Sequence, residues 1–316
     1  MENISRYLVH HARDLAREVN ARAVLVYADA VCSDDALCEI LRDVDFPAVL
    51  VTRSREAPVP AGLESHIWIS VPDVHMTRAG QVKSALLVCL ARGILHKDDR
   101  VIVLIGVDGS SVIDSLGVLH LGTEQELLSG VGPIDIGGDV APEVFERVLT
   151  LSTQLAAEGR EGRPVGVLFV LGDCDRVLSE SRSLVLNPFR GHPESERNIL
   201  DPMLEETIKE FSALDGAFVV RGDGVVLTAG THLMPAAAAD RLQGGLGTRH
   251  AAAADITHST KAVAVCVSQS TGTVAIFKSG KLITDIPRPT NGPRPSIRKK
   301  MNRPIGRDSA ELGSVA

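Results

Sequence analysis

Ile4, Leu8, Leu15 and Val19 recur at helical spacing in "MENISRYLVHHARDLAREVN", with acids and bases between them, so the chain is predicted to open with an amphipathic surface helix. Short β-rich runs follow: "AVLVYA" (Ala23 to Ala28), "AVLVTR" (Ala48 to Arg53), "HIWISV" (His66 to Val71) and "RVIVLIGV" (Arg100 to Val107). Helical stretches such as "RAGQVKSALLVCLARG" separate them, a rhythm that predicts a parallel α/β sheet with crossover helices over residues 1–139. A ligand of such a sheet binds at the carboxyl edge, where "GVDGSS" (Gly106 to Ser111) is the most suggestive turn. That turn reads first as an ordinary strand-to-helix connection.

The pattern changes near Val140. A glycine-rich connector ends near Asp139 and a helix is expected from about Pro142 to Glu158. Strand "VGVLFVLGD" (Val165 to Asp173), a polar stretch, helix "MLEETIKEFSAL" (Met203 to Leu214), strands "AFVV" and "VVLTAG", and a last hairpin around "STG" then make a mixed-sheet α/β unit over 140–286. From Pro287 to Ala316 the chain is rich in Pro, Arg, Lys and Gly with no sustained period, and is expected to be a disordered basic tail without chemistry of its own.

With 316 residues, two domains are expected, and 44% hydrophobic but only 3% aromatic residues make their cores aliphatic. A formal net charge of -7 argues against a general nucleic-acid grip, which needs clustered cations, so no specific nucleic acid is expected. Cys32, Cys38, Cys89, Cys174 and Cys266 show no metal-type spacing and read as free structural thiols of a reducing cytosol. Apolar runs such as "ALLVCL" (Ala85 to Leu90) are too short to span a bilayer, so a cytoplasmic location is expected.

Candidate chemistry sits at two places. Asp215 and Gly216 stand where a helix gives way to a strand, setting an acid beside a bare peptide edge; the same residues also suit a helix-terminating turn. In "LGTRHAAAADIT" (Leu246 to Thr257), Gly247 and Thr248 lead into Arg249, His250 and an alanine run that favours a helix. Free amides, the Thr248 hydroxyl and the Arg249 guanidinium could meet one anion there, with His250 as a further donor, or the helix is simply capped with its arginine exposed.

The order of these pieces resembles the diadenylate cyclase family (the DisA_N or DAC domain). The family's DGA signature stands as Asp215-Gly216-Ala217, and its GTRHR-type loop as Gly247-Thr248-Arg249-His250-Ala251. "GTHLMP" lies between them, "VSQSTG" (Val267 to Gly272) resembles the family's VSEETG, and the upstream "LVLNPFRGHPESERNI" is also similar. The α/β domain in front resembles that of the archaeal members called DacZ, similar to the pyruvate kinase C-terminal domain.

The resemblance implies that two ATP-loaded subunits of a face-to-face homodimer, within a higher homo-oligomer or alone, form cyclic di-AMP and two pyrophosphates with Mn²⁺ or Mg²⁺. It implies that Asp215 is the catalytic and metal-binding carboxylate. Gly216, Ala217, Leu233, Gly247, Thr248, Arg249, His250 and Ser268 would bind ATP, with Leu233 at the adenine. Two departures stand out: Ala251 replaces the loop's second arginine, and Gln269-Ser270 replace an acidic pair. Lys261, Lys278 and Arg221 are candidates to replace the missing cation. A non-catalytic sensor of ATP or cyclic di-AMP is the alternative reading.

Overall fold

The computed structural model describes residues 2–31, 33–41, 46, 48–53, 59–107, 110, 112–123, 138–234 and 247–289. Cys32, half of the "GVDGSS" turn, and residues 290–316 of the expected tail lie outside them.

Helix α1 (Glu2–Glu18) precedes strand β1 (Ala23–Tyr27), helix α2 (Asp34–Leu41), strands β2 (Ala48–Thr52) and β3 (Ile67–Ser70), helix α3 (Arg78–Ala91), and strands β4 (Arg100–Ile105) and β5 (Ser115–His120). The sheet order is β3-β2-β1-β4-β5. The first four strands are parallel, with Leu25 opposite both Val49 and Val103. Strand β5 runs antiparallel to β4, an edge that the sequence reading did not anticipate. Its run, "SLGVLH", is only partly buried and has no continuous apolar signature, because an edge strand lacks a neighbour on one side.

Helix α3 is buried from Gly80 to Ala91, which a crossover helix with one covered face would not be. It packs along β3 and also meets the second half of the chain, through helix α4 (Pro142–Glu158) and strand β12 (Lys281–Ile286). The Lys83 Nζ donates to the Asp285 carbonyl at 2.8 Å and to its carboxylate at 2.9 Å. Arg92 grips Glu146 with two bonds of 2.6 and 2.9 Å, and that carboxylate is buried. One apolar cluster accordingly runs from Val9 to Ile286, joining what composition would allow as two separate cores. Arg92→Ala removes the bidentate partner of a buried carboxylate and should lower the unfolding free energy by about 2–3 kcal/mol. A urea midpoint equal to that of wild type would show that the pair does not hold the two halves together.

The second sheet contains β6 (Val167–Leu171), β7 (Ser181–Ser183), β8 (Ala217–Val220), β9 (Val226–Leu233), β10 (Val263–Val267), β11 (Val274–Lys278) and β12. Its order is β12-β11-β10-β6-β8-β9-β7, with only β6 and β8 parallel. Helices α5 (Cys174–Ser179), α6 (Glu205–Phe211) and α7 (Thr248–Ser259) complete the unit. The expected single terminal hairpin is two, because Ser279 and Gly280 both take positive φ and turn the chain again after β11.

Alternation along the strands decides which side chains face which helix. In β6, Val167, Phe169 and Leu171 join the large core with α4, while Leu168 and Val170 join a second cluster under α7. In β10, Val263, Val265 and Val267 go to the first and Ala264 and Cys266 to the second. The second cluster is built largely of small residues, including Ala217, Ala253 and Ala275, so the alanine-rich α7 can lie close to the sheet. That close approach places the start of α7 at one sheet edge.

Cys38, Cys89, Cys174 and Cys266 are free thiols. No helix among the described residues is long and apolar enough to cross a membrane.

Candidate active site

Strands β6 and β8 begin, and β9 and β10 end, at the same edge of the second sheet, since Leu168 pairs with Ala217, Ala217 with Thr231, and Val167 with Val267. Asp215 stands two residues before the start of β8 there. Its side chain is 92% exposed, and Arg249 Nη2 donates to its Oδ1 at 3.3 Å. The two motifs, 34 residues apart in sequence, thus meet in space.

Gly216 is required by backbone geometry. Its φ is +104°, and a Cβ there would lie 2.6 Å from the Thr231 nitrogen and 2.7 Å from the Gly230 carbonyl carbon. The close approach that its glycine permits is to strand β9. Ala217, 1% exposed, and Leu233, 8% exposed, are both buried in the cluster beneath α7. Any contact of Ala217 with a ligand is therefore through its backbone.

Gly247 is the extended N-cap of α7, and its carbonyl accepts from the His250 and Ala251 amides. The Thr248 and Arg249 amides, in the first turn, have no intrahelical acceptor, which makes this end electropositive. The Thr248 side chain points into an exposed environment, whereas Arg249 is 24% exposed and folds back toward the sheet. Its Nε is buried with no hydrogen-bond partner among the described residues.

Gly166 makes the cradle for this guanidinium. A Cβ at 166 would stand 2.8 Å from Arg249 Nη1 and 3.0 Å from Gln269 Cβ. The sequence reading missed this residue, whose only signal is a glycine set directly before a strand.

His250 turns over the sheet. Its ring meets Phe277 edge-on at 5.9 Å, and Nδ1 lies 3.7 Å from the Cys266 sulfur. Burial lowers the His250 pKa, so the ring is neutral near pH 7, a weaker anion donor than an imidazolium. Burial likewise pushes the Cys266 thiol up to about 12, and Arg249 offsets part of this. Because the folded pKa lies below the usual 6.5, the unfolded chain takes up a proton first on acidification. The resulting stability is complete above that value and declines as the pH falls below it. His250→Gln should therefore flatten part of the fall in urea midpoint from about pH 7.5 to 5, with His66, also lowered by burial, leaving a residual slope. Identical slopes in both proteins would show that His250 titrates normally.

Ser268 organises the β10–β11 turn. Its hydroxyl accepts from the Thr271 amide at 3.3 Å and lies 3.3 Å from the Ser270 hydroxyl, while its carbonyl accepts from Gly272. Gln269, beside it, reaches the Gly166 cradle.

The three cations considered as replacements for a second loop arginine are elsewhere. Arg221 follows β8, Lys261 precedes β10 and Lys278 ends β11, so all three stand at the opposite sheet edge. Arg221 is also held by Glu194 and Asp223, which raise its pKa. Strand direction, which their sequence positions do not reveal, excludes them from the site. No cluster of three or more His, Cys, Asp or Glu suited to a metal occurs among the described residues.

Residues 154–282 match the DAC family model, described as DisA bacterial checkpoint controller nucleotide-binding, and residues 5–128 match DacZ_P, described as a probable sensor domain. The chain is 28% identical over 299 residues to a protein of Methanocaldococcus jannaschii named diadenylate cyclase, an alignment covering 89% of this chain and 96% of that one. A diadenylate cyclase of Haloferax volcanii is 29% identical over 248 residues, covering 78% and 88% respectively. Among solved structures, DacA from Staphylococcus aureus is 23% identical with a TM-score of 0.30, covering 46% of this chain and 88% of that one. The chain thus carries a match to the DAC family model behind a match to DacZ_P, and along most of its length it is similar to two proteins named diadenylate cyclase.

Proposed function

We propose that this chain joins two ATP molecules into cyclic di-AMP and two pyrophosphates, with residues 140–286 as the catalytic domain and 1–139 in front of it. The observation that carries the reading is the exposed Asp215 carboxylate held beside Arg249 at the electropositive start of α7. A protein that only bound anions would gain nothing from a carboxylate at that spot, since it repels phosphate.

In the reaction the 3′-oxygen of one ATP forms a bond to the α-phosphorus of the other. The bond from that phosphorus to the bridging oxygen breaks, pyrophosphate leaves with the electron pair, and the 3′-hydroxyl proton passes to solvent water. Each site supplies one nucleophile and one electrophile, so two subunits must face each other as a homodimer. Asp215 Oδ1 or Oδ2 accepts the hydrogen bond of the 3′-hydroxyl and orients it for in-line attack. The Thr248 and Arg249 amides, the Thr248 hydroxyl and the Arg249 guanidinium hold phosphate oxygens as negative charge moves toward the leaving group. An exposed ion pair is weak, so Arg249 can exchange Asp215 for phosphate at little cost. Ser268 and Gly247 border the triphosphate, and Leu233 lies beneath the adenine end.

A single exposed carboxylate fits Mn²⁺ or Mg²⁺, because such ions are commonly held by one or two carboxylates together with substrate phosphates. When bound, the ion neutralises the repulsion between Asp215 and the triphosphate.

The test is to incubate the protein with ATP and Mn²⁺ or Mg²⁺ and to seek cyclic di-AMP by mass spectrometry. Metal-dependent product is expected. ATP binding and dimer formation without product would instead support a non-catalytic sensor of ATP or cyclic di-AMP.

A further inference from the structure

Strand β12 ends at the candidate active-site edge, because Ile286 pairs with Val274 and β11 begins there. The next residues, Pro287-Arg288-Pro289, fall in the segment that composition assigns to a tail, yet they pack onto the domain. Pro289 is buried. The Arg288 side chain lies across Gly272, where a built Cβ would meet its Cδ at 2.6 Å, Cγ at 2.7 Å and Nε at 3.0 Å. Gly272 has φ +70° and closes the turn that carries Ser268 and Gln269. A glycine is thus needed there twice over, for its backbone and for the arginine seated on it.

Arg288 is exposed and makes no hydrogen bond or ion pair among the described residues. Its backbone is nevertheless constrained. Two prolines flank it, and β12 is fastened upstream by the Lys83–Asp285 pair and the fully buried Ile286. A guanidinium whose stem is fixed while its head is open loses little entropy on meeting an anion.

Charge balance says which anion. ATP brings several negative charges to this edge, more than the single guanidinium of Arg249 offsets even when it leaves Asp215. Arg221, Lys261 and Lys278 stand at the opposite edge. Four interstrand steps separate β8 from β12, about 19 Å at 4.8 Å each. Arg288 therefore lies far from the 3′-hydroxyl position at Asp215, beyond Arg249 and the Ser268 turn, where the end of an extended nucleotide would reach.

We propose that Arg288 binds the terminal phosphates of ATP and stabilises the departing pyrophosphate. This rests on the ATP-binding reading above.

Arg288→Ala and Arg288→Lys in the full chain test it, with calorimetric affinities for AMP and for a non-hydrolysable ATP analogue in the presence of Mg²⁺. In Arg288→Ala the analogue should bind about tenfold or more weakly while AMP binds as in wild type, and Arg288→Lys should recover part of the loss. Analogue affinity within about twofold of wild type in Arg288→Ala would overturn the proposal and leave the cyclase reading intact. An equal loss for AMP and the analogue would also overturn it, assigning Arg288 to support of the turn. If the wild-type chain bound neither nucleotide, the ATP-binding reading itself would fall.

Discussion

Asp215→Asn should reduce cyclic di-AMP formation about a thousandfold or more while leaving unfolding stability within about 0.5 kcal/mol of wild type. The two halves of that expectation come from the same geometry. The carboxylate is 92% exposed and among the described residues accepts one 3.3 Å hydrogen bond, from Arg249, so little folding energy depends on its charge. Asparagine keeps the shape and an acceptor for Arg249. On the proposed mechanism, what it lacks is the negative charge that would let a divalent cation sit between the side chain and the triphosphate, and the strong acceptor for a 3′-hydroxyl. Turnover should fall and its dependence on Mn²⁺ or Mg²⁺ should flatten together. Unchanged turnover with unchanged metal dependence would remove Asp215 from the chemistry.

Gly216→Ala, one residue along, should act through the fold. A φ of +104° is strained for any L side chain, and the added methyl would meet Thr231 nitrogen at 2.6 Å, Gly230 carbon at 2.7 Å and Thr231 oxygen at 2.9 Å. All three are backbone atoms of β9. No rotamer change can relieve the contact, and moving β9 away would break its pairing with β8 at Ala217–Thr231. The strain and the overpacking together should lower the unfolding free energy by about 3 kcal/mol or more, in the absence of any nucleotide. A denaturant midpoint equal to wild type would show that β8 and β9 part easily, and that this glycine serves a ligand instead. Neighbouring residues of one tripeptide are thus expected to fail differently, Asp215 in turnover and Gly216 in folding.

Local signals carried much of this protein. The apolar runs of β1, β2, β6 and β10 are legible because a strand buried on both faces must be continuously apolar. The bounds of α4 follow from Pro142 at its start and Gly159, with φ +66°, at its end. The DGA and GTRH segments could be singled out because an acid beside a glycine, and a cation opening an alanine-rich helix, are unusual locally.

Tertiary structure decided the rest. Strands β5 and β7 are short or half-exposed edges whose pairing partners, not their own residues, make them strands. Helix α3 is buried all round because the second half of the chain covers the face that a crossover helix would leave wet. Which cations share an edge with Asp215 depends on the direction of each strand, and direction follows from sheet order, which no local pattern encodes. Arg221 is only six residues beyond Asp215 yet lies across the width of the sheet, whereas Arg288, in a stretch that reads as tail, folds back onto the turn holding Ser268. The sequence alone determined the continuously apolar strands, the well-capped helices and the candidate motifs, because each is a local pattern of residues. Long-range strand pairing alone determined which charges those motifs meet.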